Sequence, residues 1–139
     1  MTIRFASALT FTLLASTATA ASFEISGFRN SNGRAICRLY TQAEGFPEKP
    51  ARAAAEVVTT IQGGRAACAF DAIASPTAAV SVLHDEDGDG DMKTNFVGIP
   101  KEGWAVSNNA KAQTFGPPTF VDARFTVTPD LAQSLRMNY

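Results

Sequence analysis

The chain has 139 residues, with 12 Lys and Arg against 13 Asp and Glu and a formal net charge of −1. That length suits one domain with an ordinary hydrophobic core. The charge balance leaves no basic footprint for nucleic acid or an anionic membrane, and the apolar and charged fractions are those of a globular chain.

Residues 1–20 read M-T-I-R-F-A-S-A-L-T-F-T-L-L-A-S-T-A-T-A, with one early cation, a modest apolar stretch and a closing small-x-small A-T-A. This is the pattern of a secretory signal, removed to leave a mature domain over residues 21–139. The stretch is too short and too rich in Ser and Thr for a membrane span, and no Cys follows for lipid attachment. An N-terminal core helix is the alternative reading. The signal predicts an exported protein, periplasmic or extracellular.

Residues 21–28, A-S-F-E-I-S-G-F, alternate apolar and polar and predict a strand. R-N-S-N-G over 29–33 is turn chemistry, so residues 34–40 are expected to return as a second strand in a hairpin with the first. Residues 41–50 form a Pro-bearing loop, and P-A-R-A-A-A-E predicts one or two helical turns before V-V-T-T-I-Q resumes strand character. Gly63-Gly64 turns the chain into R-A-A-C-A-F-D-A-I, and residues 77–84 form the clearest strand. Residues 119–127 and 134–139 supply the last two strands.

Short strands separated by turns predict an all-β fold, an antiparallel β-sandwich of about seven strands with one long metal-organised loop. Cys37 and Cys68 lie in two of these strand-like runs. In an oxidising compartment an even pair favours a disulfide, although two buried free thiols remain the alternative.

Residues 85–118 show no sustained period, yet Phe96, Val97, Ile99, Trp104, Val106 and Phe115 make them too apolar for a disordered tract. The segment starts with a concentration of charge: His84 to Asp91 reads H-D-E-D-G-D-G-D, five carboxylates in eight residues. Asp85, Asp87, Asp89 and Asp91 fall on alternate positions with Gly88 and Gly90 between the later ones. A tight D-x-D-x-D-G loop is how a chain presents several oxygens to a hard cation, so calcium is the predicted cofactor. The glycines let the backbone curl and bring the carboxylates together. The run matches the first half of a helix–loop–helix calcium loop, but the twelfth position is Phe96 where a bidentate Glu is needed, and a strand precedes it. Asn95 and His84 are possible additional ligands, and Glu102 or Asp122 could supply a missing carboxylate. A solvated Asp-Gly turn without metal is the competing reading.

The blocks H-D-E-D-G-D-G, N-F-V-G-I-P-K-E-G-W, S-N-N-A and F-G-P-P-T-F-V-D-A-R-F together resemble the bacterial family known as domain of unknown function 2141. G-F-R-N-S-N-G-R and A-E-G-F-P are similar to its first hairpin and following loop, so the resemblance spans the mature chain. Two pieces depart from it: S-P-T-A-A-V before the clearest strand, and Asp91-Met92-Lys93 closing the acidic loop. The resemblance implies an exported prealbumin-like or immunoglobulin-like sandwich and no assigned activity.

Three functions follow as expectations. The first is a calcium-stabilised binding module of the cell envelope, presenting Phe96, Trp104, Asn108 and Asn109 to a protein or carbohydrate partner; these aromatics packing as a small core under the loop is the alternative. The second is a purely structural envelope domain. The third is a metal-dependent hydrolase using His84 and Asp85. A hydrolase is disfavoured, because His84 is the only histidine and neither a nucleophile elbow nor a phosphate-cradling loop is present. No enzyme activity is expected.

Overall fold

The computed structural model describes Thr10, Thr12 and residues 19–139. Most of the predicted signal over residues 1–20 lies outside the described residues. Eight strands follow: β1 (Ala21–Ser26), β2 (Arg34–Tyr40), β3 (Ala55–Thr59), β4 (Arg65–Phe70), β5 (Thr77–Asp85), β6 (Trp104–Val106), β7 (Phe125–Thr126) and β8 (Leu131–Arg136). One short α-helix, α1 (Phe120–Ala123), precedes β7. The first sheet has the order β4-β1-β8, and the second the order β3-β2-β5-β6, with β7 also on β5.

The burial period of each strand explains its place. β1 buries Ala21, Phe23 and Ile25 and exposes Ser22 and Glu24, as a strand with one solvated face must. β2 and β5 are buried on both faces and pair from Arg34↔Asp85 to Tyr40↔Ala79 in the middle of the second sheet. Their inward residues Ala35, Cys37, Leu39, Val80 and Val82 meet Phe23, Ile25, Cys68, Phe70 and Leu135 of the first sheet in one apolar core. Their outward residues Arg34, Ile36, Arg38, Leu83 and Asp85 lie on the opposite face, which is covered in part by the excursion beyond β5.

The disulfide between Cys37 and Cys68 joins β2 to β4 and so ties the two sheets together. Its partners are 31 residues apart, and closing a loop of that size stabilises a fold by about 3–4 kcal/mol.

Several expectations need correction. β1 and β2 do not form a hairpin: β1 pairs with β4 and β8, and β2 with β3 and β5. The turn at 29–33 carries the chain across the sandwich, from β1 in the first sheet to β2 in the second. The strand pairing is also not wholly antiparallel, because β8 runs parallel to β1 from Ala21↔Leu131 to Ser26↔Arg136. In place of a strand over 119–127, α1 and the two-residue β7 appear. Thr119 caps α1 by accepting the Asp122 N–H at 3.1 Å, and this local bond outweighs the alternating pattern. P-A-R-A-A-A-E forms only a single 3₁₀ turn, Pro50–Arg52. β8 starts earlier than the last predicted strand, and the 85–118 segment contains β6 and a second 3₁₀ turn, Ser107–Asn109.

A candidate metal centre at the end of β5

Asp85 is the last residue of β5 and its side chain is fully buried. Oδ2 accepts from Arg34 Nε at 2.9 Å, across the β2–β5 ladder, and from the Gly90 N–H at 3.1 Å. The second bond folds the acidic loop back over its own start. Gly90 adopts φ 82° and Gly88 φ 76°, left-handed values that favour glycine. Within the loop, Asp87 Oδ1 accepts the Asp89 N–H and Asp89 Oδ1 accepts the Asp91 N–H, so alternate aspartates curl the chain. Gly33 approaches from the β1–β2 turn so closely that a Cβ there would lie 1.9 Å from the Asp85 carbonyl oxygen.

The loop brings Asp85, Asp87 and Asp89 together with Glu102, which arrives just before β6. One carboxylate oxygen from each of the four lies within 4.8 Å of the others. Glu102 is 5% exposed. Its Oε2 accepts the Glu86 N–H at 3.0 Å. Asp85 Oδ1 and Glu102 Oε1 are both buried and have no hydrogen-bond partner. A buried acceptor left in that condition costs about 1–3 kcal/mol, more when it is charged. Burial, with Asp87, Asp85 and Asp89 nearby, raises the Glu102 pKa above its ordinary value, against the lowering effect of its bond from the Glu86 N–H. Arg34 on the inner side and Lys93 on the outer side oppose these four charges; Lys93 Nζ lies 2.6 Å from Asp87 Oδ2 and 3.8 Å from Asp89 Oδ2. The hydrogen bond from Lys93 holds Asp87 down to a pKa of about 2. Chemically this is an all-oxygen cluster that could hold a hard cation.

The other candidate residues lie elsewhere. Asp91 is not among the four clustered carboxylates. Asn95 Oδ1 accepts from the Val97 and Ile99 N–H groups, closing its own turn. The His84 side chain is fully buried and faces away from the cluster. Its Nε2 lies 2.9 Å from the Asn32 carbonyl oxygen and its Nδ1 lies 2.7 Å from the Tyr139 hydroxyl. A carbonyl can only accept, so Nε2 carries a proton and donates it to Asn32 O. Asp122 belongs to the cap of α1. Glu86, though inside the acidic run, is bound by Arg29 Nε at 2.7 Å and Asn30 Nδ2 at 3.3 Å.

Asn108 donates to the Asp122 and Arg124 carbonyls and accepts from Gln133 Nε2, while Asn109 bridges Ser134 O and Arg136 N. Their amides fasten the 3₁₀ turn to β8 and α1, with φ 61° and 49°. Left-handed Asn-Asn after a strand was the available sign of that structural role. Trp104 is half-buried against Ala79, Val106 and Ala123, whereas Phe96 and Phe115 are fully exposed. Between the excursion and the 112–118 loop, above the outer face of the second sheet, lies a cavity of about 720 Å³ lined by Arg38, Ser81, Leu83, Ile99, Trp104 and Phe115.

Fold and site together define an all-β, disulfide-linked protein carrying a buried-to-exposed acidic cluster at one strand end. No helix among the described residues is long and apolar enough to cross a membrane. The chain belongs to a bacterial family: the model of an uncharacterized protein conserved in bacteria, domain of unknown function 2141, matches residues 23–134. No curated protein and no solved structure matches the chain.

Proposed function

We propose that the protein is an exported, calcium-stabilised binding module of the bacterial cell envelope. The observation that carries this reading is the pair of buried, unpartnered carboxylate oxygens, Asp85 Oδ1 and Glu102 Oε1, at one cluster with Asp87 and Asp89. A solvated Asp-Gly turn has no reason to bury two carboxylates that each leave one oxygen without a partner. A divalent cation supplies the missing interaction. Four carboxylates without an imidazole or thiolate suit calcium, which takes six to eight oxygens in a flexible shell. The ion would join the end of β5 to the residue before β6 and close the intervening loop.

Binding, as opposed to a purely structural role, is supported by the exposed Phe96, Val97, Ile99 and Phe115 and by the cavity they border in part. The partner would be a protein or a carbohydrate. A hydrolase acting through His84 is disfavoured, because both ring nitrogens are hydrogen-bonded inside the fold. The disulfide suits an oxidising compartment, as export requires.

Differential scanning calorimetry tests the metal reading. Calcium binding at the affinity of extracellular modules, about 0.1–1 mM, stabilises the protein by about 1–3 kcal/mol at ten or more millimolar. The Asp87→Asn/Asp89→Asn double variant loses that gain. A wild-type midpoint unmoved by calcium and by chelator returns the acidic run to a solvated turn.

A further inference from the structure

We infer that Lys93 is a built-in competitor of the cation: its ammonium holds the outer carboxylates in the metal-free protein and must leave them when the ion is coordinated. This concerns the regulation of the calcium site and rests on that reading.

The cluster has two halves. Asp85 and Glu102 are buried, and Asp87 and Asp89 are exposed. Lys93 Nζ touches only the exposed half, at 2.6 Å from Asp87 Oδ2 and 3.8 Å from Asp89 Oδ2. An ammonium has three donors and no acceptor, so it occupies carboxylate lone pairs that a metal would use. A dication bound by the same two aspartates would stand next to a like charge, and that repulsion favours release of the lysine.

Release of Lys93 has a route to the rest of the loop. The Lys93 carbonyl accepts the Lys101 N–H, and Thr94 bridges to Pro100, so the two strands of a small hairpin begin at Lys93 and end beside Glu102. The tip of this hairpin carries the exposed Phe96, Val97 and Ile99. One base of the hairpin therefore holds the outer half of the cluster through Lys93, and the other adjoins Glu102 of the inner half. Exchange of the ammonium for a cation changes how the first base is held while tightening the second. The ion would thus set the posture of the apolar tip as well as close the loop.

Lys93→Met keeps most of the stem and removes the charge. Isothermal titration with calcium chloride should show the variant binding about five-fold tighter than wild type, the scale of an exposed ion pair. Its metal-free melting temperature should fall below that of wild type. As a second measurement, amine acylation by an activated acetate ester, read by mass spectrometry, should label Lys93 faster once calcium is added, with exposed Lys111 as the internal reference. Equal or weaker calcium binding by the variant, or Lys93 labelling unchanged by calcium, overturns the inference while wild-type binding keeps the site. Absence of calcium binding by wild type removes the site and the inference together.

Discussion

Replacing Glu102 with Gln gives effects of opposite sign with and without calcium. The Glu102 carboxylate is 5% exposed, with one oxygen accepting the Glu86 N–H and the other unpartnered. The amide oxygen of Gln can keep the Glu86 bond, and its NH₂ faces acceptors on Asp85, Asp87 and Asp89 in place of like charges. Removing an unsatisfied buried acceptor is worth about 1 kcal/mol at the lower end of its range, so the chelated variant should melt roughly 3–5 °C above chelated wild type. With calcium the order reverses. Wild type at a calcium concentration 100 times its Kd gains about 2.7 kcal/mol. The variant, missing one of four carboxylates and binding about 10–100-fold more weakly, keeps between about 0.4 and 1.4 kcal/mol of that gain. Calorimetric scans of both proteins in chelator and in excess calcium should therefore cross. A variant less stable than wild type under both conditions would show that Glu102 serves packing alone, and the argument from its unpartnered oxygen would be wrong.

Two further outcomes follow. Cys37→Ser/Cys68→Ser should lose about 3–4 kcal/mol, read as a lower urea midpoint of the double variant against the oxidised wild type, because the bond joins the two sheets across a 31-residue separation. For pH, the folded-state pKa of Glu102 is raised above 4.5, so its ionisation opposes folding and this group's contribution is lost as pH rises through the folded value. The chelated protein should thus gain stability on acidification from neutral pH toward 4.5, Glu102→Gln should lack that gain, and the depressed Asp87 should weaken the fold only below its ordinary 3.8, toward about 2.

The strands that alternate or run continuously apolar were legible, β1, β4 and β5 above all, because burial writes its period directly into the residues. So was the acidic loop, whose D-x-D-x-D-G spacing is local. Partner choice between strands was not. β1 and β2 are joined by a turn suited to a hairpin, but β2 has apolar or partnered residues on both faces, and only the covering excursion makes that burial possible. Glu102 stood among the candidate ligands as one of two distant carboxylates. Its selection over Asp122 depends on the loop returning to β5 through the β5–β6 pairing, a contact that no local spacing encodes. Thr119 and Asp122 did hold a readable cap, hidden under a convincing alternation of apolar residues.

The parallel pairing of β1 with β8 joins opposite ends of the described chain, and β1 is the middle strand of its sheet. Until the final strand is available, β1 has one unsatisfied edge, and the first sheet cannot be completed from the residues made early. Assembly must wait for nearly the whole polypeptide, which makes for slow, non-local folding.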